Sequence, residues 1–237
     1  MLLSELISAN QIIKVKDSLN PLIWDGQTLK PEVRSKLIRI ARAFEEFVGV
    51  DLDVVDYTIT GSNANYTWTE HSDLDLHLVI PGTAPDDDRE LYSAKKSLWG
   101  EQRNITIRGL PVECYVQGQD EPHHSTGVYS LSKNKWLVEP QRIEPRVDDS
   151  SVEAKKDAIM HDAETALLNK NLDQLRTVKE RIVKMRQAGL DRAGEWSTEN
   201  LVFKILRNLG IIEQVSDTIR ELEDQELSLE QQNNQLD

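Results

Sequence analysis

The sequence predicts an α+β chain, a β-sheet flanked by helices and followed by an all-helical C-terminal region. Three observations carry that expectation. Asp73-Leu74-Asp75-Leu76-His77-Leu78-Val79-Ile80 alternates polar and apolar side chains with the period of two that marks a strand with one buried face. Between Pro31 and Val48 the apolar set Val33, Leu37, Ile40, Ala41, Phe44 and Val48 recurs at three- and four-residue spacing, the period of an amphipathic helix. From Val152 onward the strand-type runs stop and helical stripes replace them.

Taken in order, residues 2–17 predict a short amphipathic helix, within an N-terminal segment 1–19 whose docking is undetermined. Pro21 and Asp25-Gly26 mark a loop, Pro31 suits the first turn of the long helix, and Gly49 suits its C-terminal cap. Tyr57–Thr60 is a β-rich run that stops at Gly61-Ser62, about ten polar residues before the alternating strand. Pro81-Gly82 turns the chain into a helix over about 87–99. The triplet Asp86-Asp87-Asp88 at its start is read as dipole-complementing, capping acids and not as a metal cluster. Residues 104–117 form two short β-runs meeting at Gly109-Leu110-Pro111. The second puts Glu113, Tyr115 and Gln117 on one face and Val112, Cys114 and Val116 on the other.

After a polar loop, Val128–Leu131 and Lys135–Val138 predict an edge hairpin whose Tyr129 and Trp136 either pack or stack on a base. His123-His124 lacks further Cys or His at ligand spacing, so zinc is not expected. Pro140, Pro145 and residues 148–151 form a linker. Residues 152–168 and 171–188 then predict a helical hairpin closed by Gly189. Ser197 caps a helix over 199–209 that Gly210 ends, and a last helix runs to about Leu222. The tail from Asp224 carries four acids, no bases and many Gln and Asn, the composition of a disordered segment. The expected division is 20–147 for the sheet domain, 150–223 for the helical domain and 224–237 for the tail.

Composition narrows the partners. A net charge of −13, with no Lys/Arg-rich stretch carrying interleaved aromatics, argues against a broad basic surface for long polynucleotides. Lys95, Lys96, Arg103 and Arg108 could line a local basic groove or simply face water. No apolar run is long enough to span a bilayer, and the start, with its early Glu5, does not read as a secretory signal. The single Cys114, on the buried side of its strand, excludes an internal disulfide and suits a reducing cytoplasm.

The chemistry concentrates in residues 57–80. Asp73, Asp75 and His77 share one strand face, and adjacent carboxylates repel unless a positive charge lies between them. A hard divalent ion such as Mg²⁺ is the natural occupant, since it binds through one or two carboxylates plus substrate phosphates. Gly61 permits a positive-φ corner and Ser62 adds a hydroxyl, so this corner suits a phosphate next to that ion. His71 and His77 flank the acids; His77 either touches a nucleotide or is structural.

Gly61-Ser62, ten residues, and then Asp73-x-Asp75 on a strand resemble the signature of the DNA polymerase β-type nucleotidyltransferase superfamily. The resemblance covers residues 57–117 by motif and the remainder by element order. Together with Asn20-Pro21-Leu22-Ile23-Trp24 and the helical C-terminus it is also similar to nucleotidyltransferase-like proteins of large tailed phages. It implies a mixed β-sheet nucleotidyltransferase core, a third acid on a neighbouring strand at Glu113, and two Mg²⁺ (or Mn²⁺) ions on Asp73, Asp75 and Glu113. It further implies a nucleoside triphosphate whose outer phosphates lie on Gly61 and Ser62, and transfer of a nucleoside monophosphate with release of pyrophosphate. Many relatives carry Asp where this chain has Glu113. The acceptor stays open between an RNA 3′ end, a nucleotide, a small molecule and a protein hydroxyl. The alternative is a catalytically degenerate, antitoxin-like module that binds a nucleotide or a protein, against which the intact acids argue. A metal-dependent nuclease would leave the Gly61-Ser62 corner unexplained.

Overall fold

The structure is a computed structural model that describes residues 15–70, 72–121, 125–143 and 148–228. The expected helix at 2–17, His71, His123-His124 and most of the acidic tail lie outside or largely outside these residues. The chain divides into two compact units, one spanning Ile13–Glu144 and one containing Pro145–Asp237.

The first unit is built on a mixed sheet. A two-residue hairpin, β1 (Trp24–Asp25) and β2 (Thr28–Leu29), leads into helix α1 (Pro31–Val48). Pro31 sits in the first turn of α1, where its missing N–H costs nothing, and Gly49 closes the helix at φ +78°. Strands β3 (Asp56–Thr60) and β4 (Leu74–Ile80) follow, then helix α2 (Asp86–Gln102). After them come β5 (Thr106–Ile107), β6 (Leu110–Gly118), β7 (Val128–Ser130) and β8 (Lys135–Val138). The sheet order is β5-β6-β4-β3-β7-β8. Strands β4 and β6 run parallel, as the intervening α2 allows, while β3 is antiparallel to both β4 and β7.

The alternation in β4 is realised: Leu74, Leu76 and Leu78 are buried, and Asp75 and His77 are half-buried. These leucines join Val33, Leu37, Phe44, Val112 and Cys114 in one core, with α1 packed against β4 and α2 against β6. Helix α2 starts after Pro85, so the Asp triplet falls in its first turn, where acids complement the helix dipole, and Asp86 also meets Arg89 one turn on, at 3.3 Å. Tyr129 and Trp136 pack on Trp24, with ring centroids 5.1 and 4.7 Å away, and the buried Tyr129 takes the packing reading.

The second unit is helical: α3 (Asp149–Leu168), α4 (Leu172–Ala193), α5 (Thr198–Asn208) and α6 (Ile211–Leu227). Asp148, Asn171 and Ser197 cap the first three through side-chain oxygens. Gly189 does not end α4. The helix runs on to Ala193 and stops at Gly194, whose φ is +67°. Gly189 is needed inside the helix because a Cβ there would come within 2.6 Å of both Glu199 Cβ and Ser197 Oγ; its bare backbone lets α5 approach. Helix α6 continues to Leu227 and so takes in residues expected to belong to the disordered tail, Asp224 among them. Among the described residues, no helix is long and apolar enough to cross a membrane.

Candidate metal centre

Asp75 and Glu113 face each other directly in the parallel register of β4 and β6, and Asp73 lies just before β4. This pairing brings one carboxylate oxygen from each of the three residues within 4.8 Å of the others, and all three residues are half-buried. Among the described residues this is the one group of three or more metal-type side chains so close together. Three hard oxygen donors open to water fit a hard divalent cation such as Mg²⁺ or Mn²⁺.

The Gly61 corner is shaped around one of these acids. Thr60 is the register partner of Asp75, so Gly61 lies where the Asp75 side chain reaches across from β4. A Cβ on Gly61 would sit 1.8 Å from Asp75 Oδ2, and Gly61 holds φ +73°, a conformation that side chains disfavour. Its N–H donates to Ser125 Oγ at 3.0 Å, and Ser125 Oγ in turn donates to the Gly127 carbonyl. Ser62 Oγ donates to Ser72 Oγ at 2.9 Å, which closes the loop between the corner and the acids. Gly61 is thus required first by the carboxylate beside it, a constraint that becomes visible only with the β3–β4 register.

Asp73 is positioned differently. The buried Asn63 amide donates to the carbonyls of Asp73, at 2.7 Å, and Ser72. Asn63 is itself held from afar: its side-chain oxygen accepts from Asn20 Nδ2 and its carbonyl from Trp24 Nε1, both at 2.7 Å. Nothing in the sequence distinguishes this asparagine from the other polar residues of its loop.

Glu113 has two partners on the same oxygen. Tyr115 donates its hydroxyl to Glu113 Oε2 at 2.6 Å, and Lys96 Nζ lies 2.9 Å from that atom. The ammonium also sits 3.7 Å above the Tyr115 ring. His77 stacks on the ring at 4.8 Å between centroids, and His77 Nε2 meets Thr60 Oγ1 at 3.1 Å. Burial, reinforced by the charges of Asp75 and Glu113, pushes the Tyr115 phenol far above its usual range, so it stays a donor. Next to it, burial and the Glu113 charge push the Cys114 thiol up to about 12, which removes it from thiolate chemistry. Of the basic residues between the second and third acids, Lys96 reaches the cluster, Lys95 turns to the Phe47 carbonyl, and Arg108 pairs with Glu32. A depression of about 400 Å³ lined by Arg42, Glu45 and Tyr57 contains none of the cluster residues.

No family model matches the chain, and no curated protein matches it. Two solved structures are similar to it. One is a STING-associated CdnE c-di-GMP synthase from Capnocytophaga granulosa, 12% identical, covering 84% of each chain with a TM-score of 0.23. The other is a spectinomycin adenyltransferase from Enterococcus faecialis bound to ATP and spectinomycin, 13% identical, covering 82% of this chain and 100% of that one, also with a TM-score of 0.23. Superposition that loose carries no weight for function, and the site stands on its own residues.

Proposed function

We propose that the chain is a nucleotidyltransferase that moves a nucleoside monophosphate from a nucleoside triphosphate to a hydroxyl acceptor and releases pyrophosphate. The observation behind this reading is the gathering of Asp73, Asp75 and Glu113 within 4.8 Å beside the Gly61-Ser62 corner. Asp73 and Asp75, with Glu113, would hold two Mg²⁺ or Mn²⁺ ions. Bound there, the ions would neutralise the triphosphate and lower the pKa of the acceptor hydroxyl. Ser62 would turn its hydroxyl from Ser72 toward the outer phosphates, and the bare Gly61 leaves Asp75 room to stay in place. The acceptor oxygen forms a bond to the α-phosphorus as the bond to pyrophosphate breaks. The acceptor's proton passes to Glu113 or to water. A cytoplasmic location, where Cys114 stays reduced, belongs to the same reading.

The test is incubation with each labelled nucleoside triphosphate and Mg²⁺, with and without total cell RNA and lysate, so that the labelled product names the acceptor class. Asp73→Ala combined with Asp75→Ala is expected to abolish labelling. It should also abolish any nucleotide-dependent rise in melting temperature, which in the wild type should require Mg²⁺ or Mn²⁺. A metal-dependent shift with no product from any acceptor would point to the binding module instead. A nucleotide shift that survives the double substitution would remove the metal site.

A further inference from the structure

Lys96 meets the third acid from α2, outside the alternating pattern that delivers the acids. Its ammonium lies 2.9 Å from Glu113 Oε2, the oxygen that also accepts the Tyr115 hydroxyl. With two donors on it, this oxygen is occupied, so a cation drawn to the Glu113 carboxylate meets the Lys96 ammonium already paired with it. The Tyr115 donor is fixed, because its ring is stacked on His77 and its hydroxyl reaches Oε2 at 2.6 Å from the same strand as Glu113. Lys96 is the movable one: its side chain is one-third exposed and ends on a flexible four-carbon stem. The Tyr115 face, 3.7 Å below Nζ, gives the ammonium a second resting place.

We propose that Lys96 is the built-in counter-ion of this acid cluster, and that a divalent cation binding there competes with its ammonium for the Glu113 carboxylate. This rests on the metal-binding part of the proposed function. Three carboxylates crowded within 4.8 Å need positive charge when no metal is bound, and Lys96 supplies some of it. The same charge then opposes the incoming cation, so the affinity for metal reflects an exchange and not simple occupation. Lys96 acts here through Glu113 as a positioning residue. Its loss should loosen the metal-free cluster and tighten the metal-bound one.

The experiment is titration of the full chain with Mn²⁺, following free Mn²⁺ by electron paramagnetic resonance and the melting temperature in parallel, with no nucleotide present. Lys96→Met is expected to bind Mn²⁺ about tenfold more tightly than wild type, the scale of one partly screened unit charge about 4 Å from a cation. Its metal-free melting temperature should fall and its Mn²⁺-induced rise should grow. Lys96→Arg, which keeps the charge, and Lys95→Met, which removes a charge from the same helix away from the acids, should both stay within about twofold of wild type. Equal or weaker Mn²⁺ binding in Lys96→Met overturns the exchange and leaves the metal site standing. Tightening of the same size in Lys96→Arg or Lys95→Met also overturns it. Absence of Mn²⁺ binding in both wild type and Lys96→Met overturns the metal site and this inference together.

Discussion

The two units each hold a carboxylate against a lysine, to opposite ends. In the helical unit Glu199 of α5 accepts from Lys155 of α3 and Arg192 of α4, both at 2.6 Å, and its side chain is 9% exposed. In the sheet unit Glu113 meets Lys96 with its side chain 41% exposed, and two more carboxylates stand within 4.8 Å. One anion between two cations is a closed arrangement that ties three helices together. Three anions crowded together and open to water form an arrangement that invites a cation from outside. The same ion pair therefore serves as a fastener in one place and as an exchangeable stand-in in the other, and the surplus of one sign of charge distinguishes them.

Each unit also sets a glycine against an acidic residue. Gly61 makes room for the far end of Asp75, whereas Gly189 makes room for Glu199 at its Cβ and for Ser197. A carboxylate end can rotate away from an added methyl group; a Cβ fixed to a helix backbone cannot.

The sharpest test of this contrast is the pair Glu113→Gln and Glu199→Gln. Glu113→Gln should lower turnover on the order of 10²-fold or more, the usual scale for a positioned acid or base, and leave the nucleotide-dependent melting shift in place. Intact turnover in this variant would take Glu113 out of the chemical step. Glu199→Gln should leave turnover per folded molecule alone and destabilise the protein by about 2 kcal/mol in urea unfolding, because Lys155 and Arg192 lose their shared acceptor.

Acid should act on the same fastener. Burial alone would raise the Glu199 carboxyl, but the hydrogen bonds from Lys155 and Arg192 outweigh it and hold the carboxyl at about 2. A carboxyl lowered on folding contributes stability that is complete above its ordinary value near 4.5 and is lost as pH falls from there toward about 2. Wild type should therefore lose melting temperature faster than Glu199→Gln between those limits. Parallel acid profiles would deny Glu199 that role.

The glycines should separate more finely. Gly189→Ala is expected to cost about 2 kcal/mol, as overpacking does, while the Mn²⁺-induced melting shift persists. Gly61→Ala should cost about 2 kcal/mol for a backbone conformation, φ +73° and ψ −161°, that is essentially reserved for glycine, and abolish the Mn²⁺ shift, because Asp75 must swing away. Equal behaviour of the two variants would end the comparison. The smallest effect is expected from Ser62→Ala, under about 1 kcal/mol in triphosphate affinity by isothermal titration, for the loss of one hydroxyl.

What could be read from the sequence followed from local periodicity. The β4 alternation placed Asp75 and His77 opposite the leucines, and the stripe of α1 named the helix's buried face, because each pattern is complete within one element. Contacts between elements were less accessible. Lys96 and Lys95 are neighbours in sequence, and only the crossover of α2 and its helical phase send one to Glu113 and the other to the Phe47 carbonyl. The steric demand on Gly61 depends on which β4 residue lies opposite Thr60. Gly189 was misread as a stop because a glycine at the end of a stripe resembles a cap, and only α5 reveals what its missing side chain permits. In α6 the polar composition beyond Leu222 concealed a helix that continues to Leu227.

Asp75 and Asp73 depend on unequal supports. Asp75 is locked on both sides by strand ladders, whereas the backbone at Asp73 hangs from the Asn63 amide, which is pegged by Asn20 and Trp24 more than thirty residues upstream. Trimming the chain to its sheet, or clipping it proteolytically before Pro31, would remove the peg and leave every central strand intact. The remaining fragment would keep the ladders on either side of one acid and lose the remote support behind the other's backbone, a protein that looks whole by its sheet yet has a weakened frame around its site.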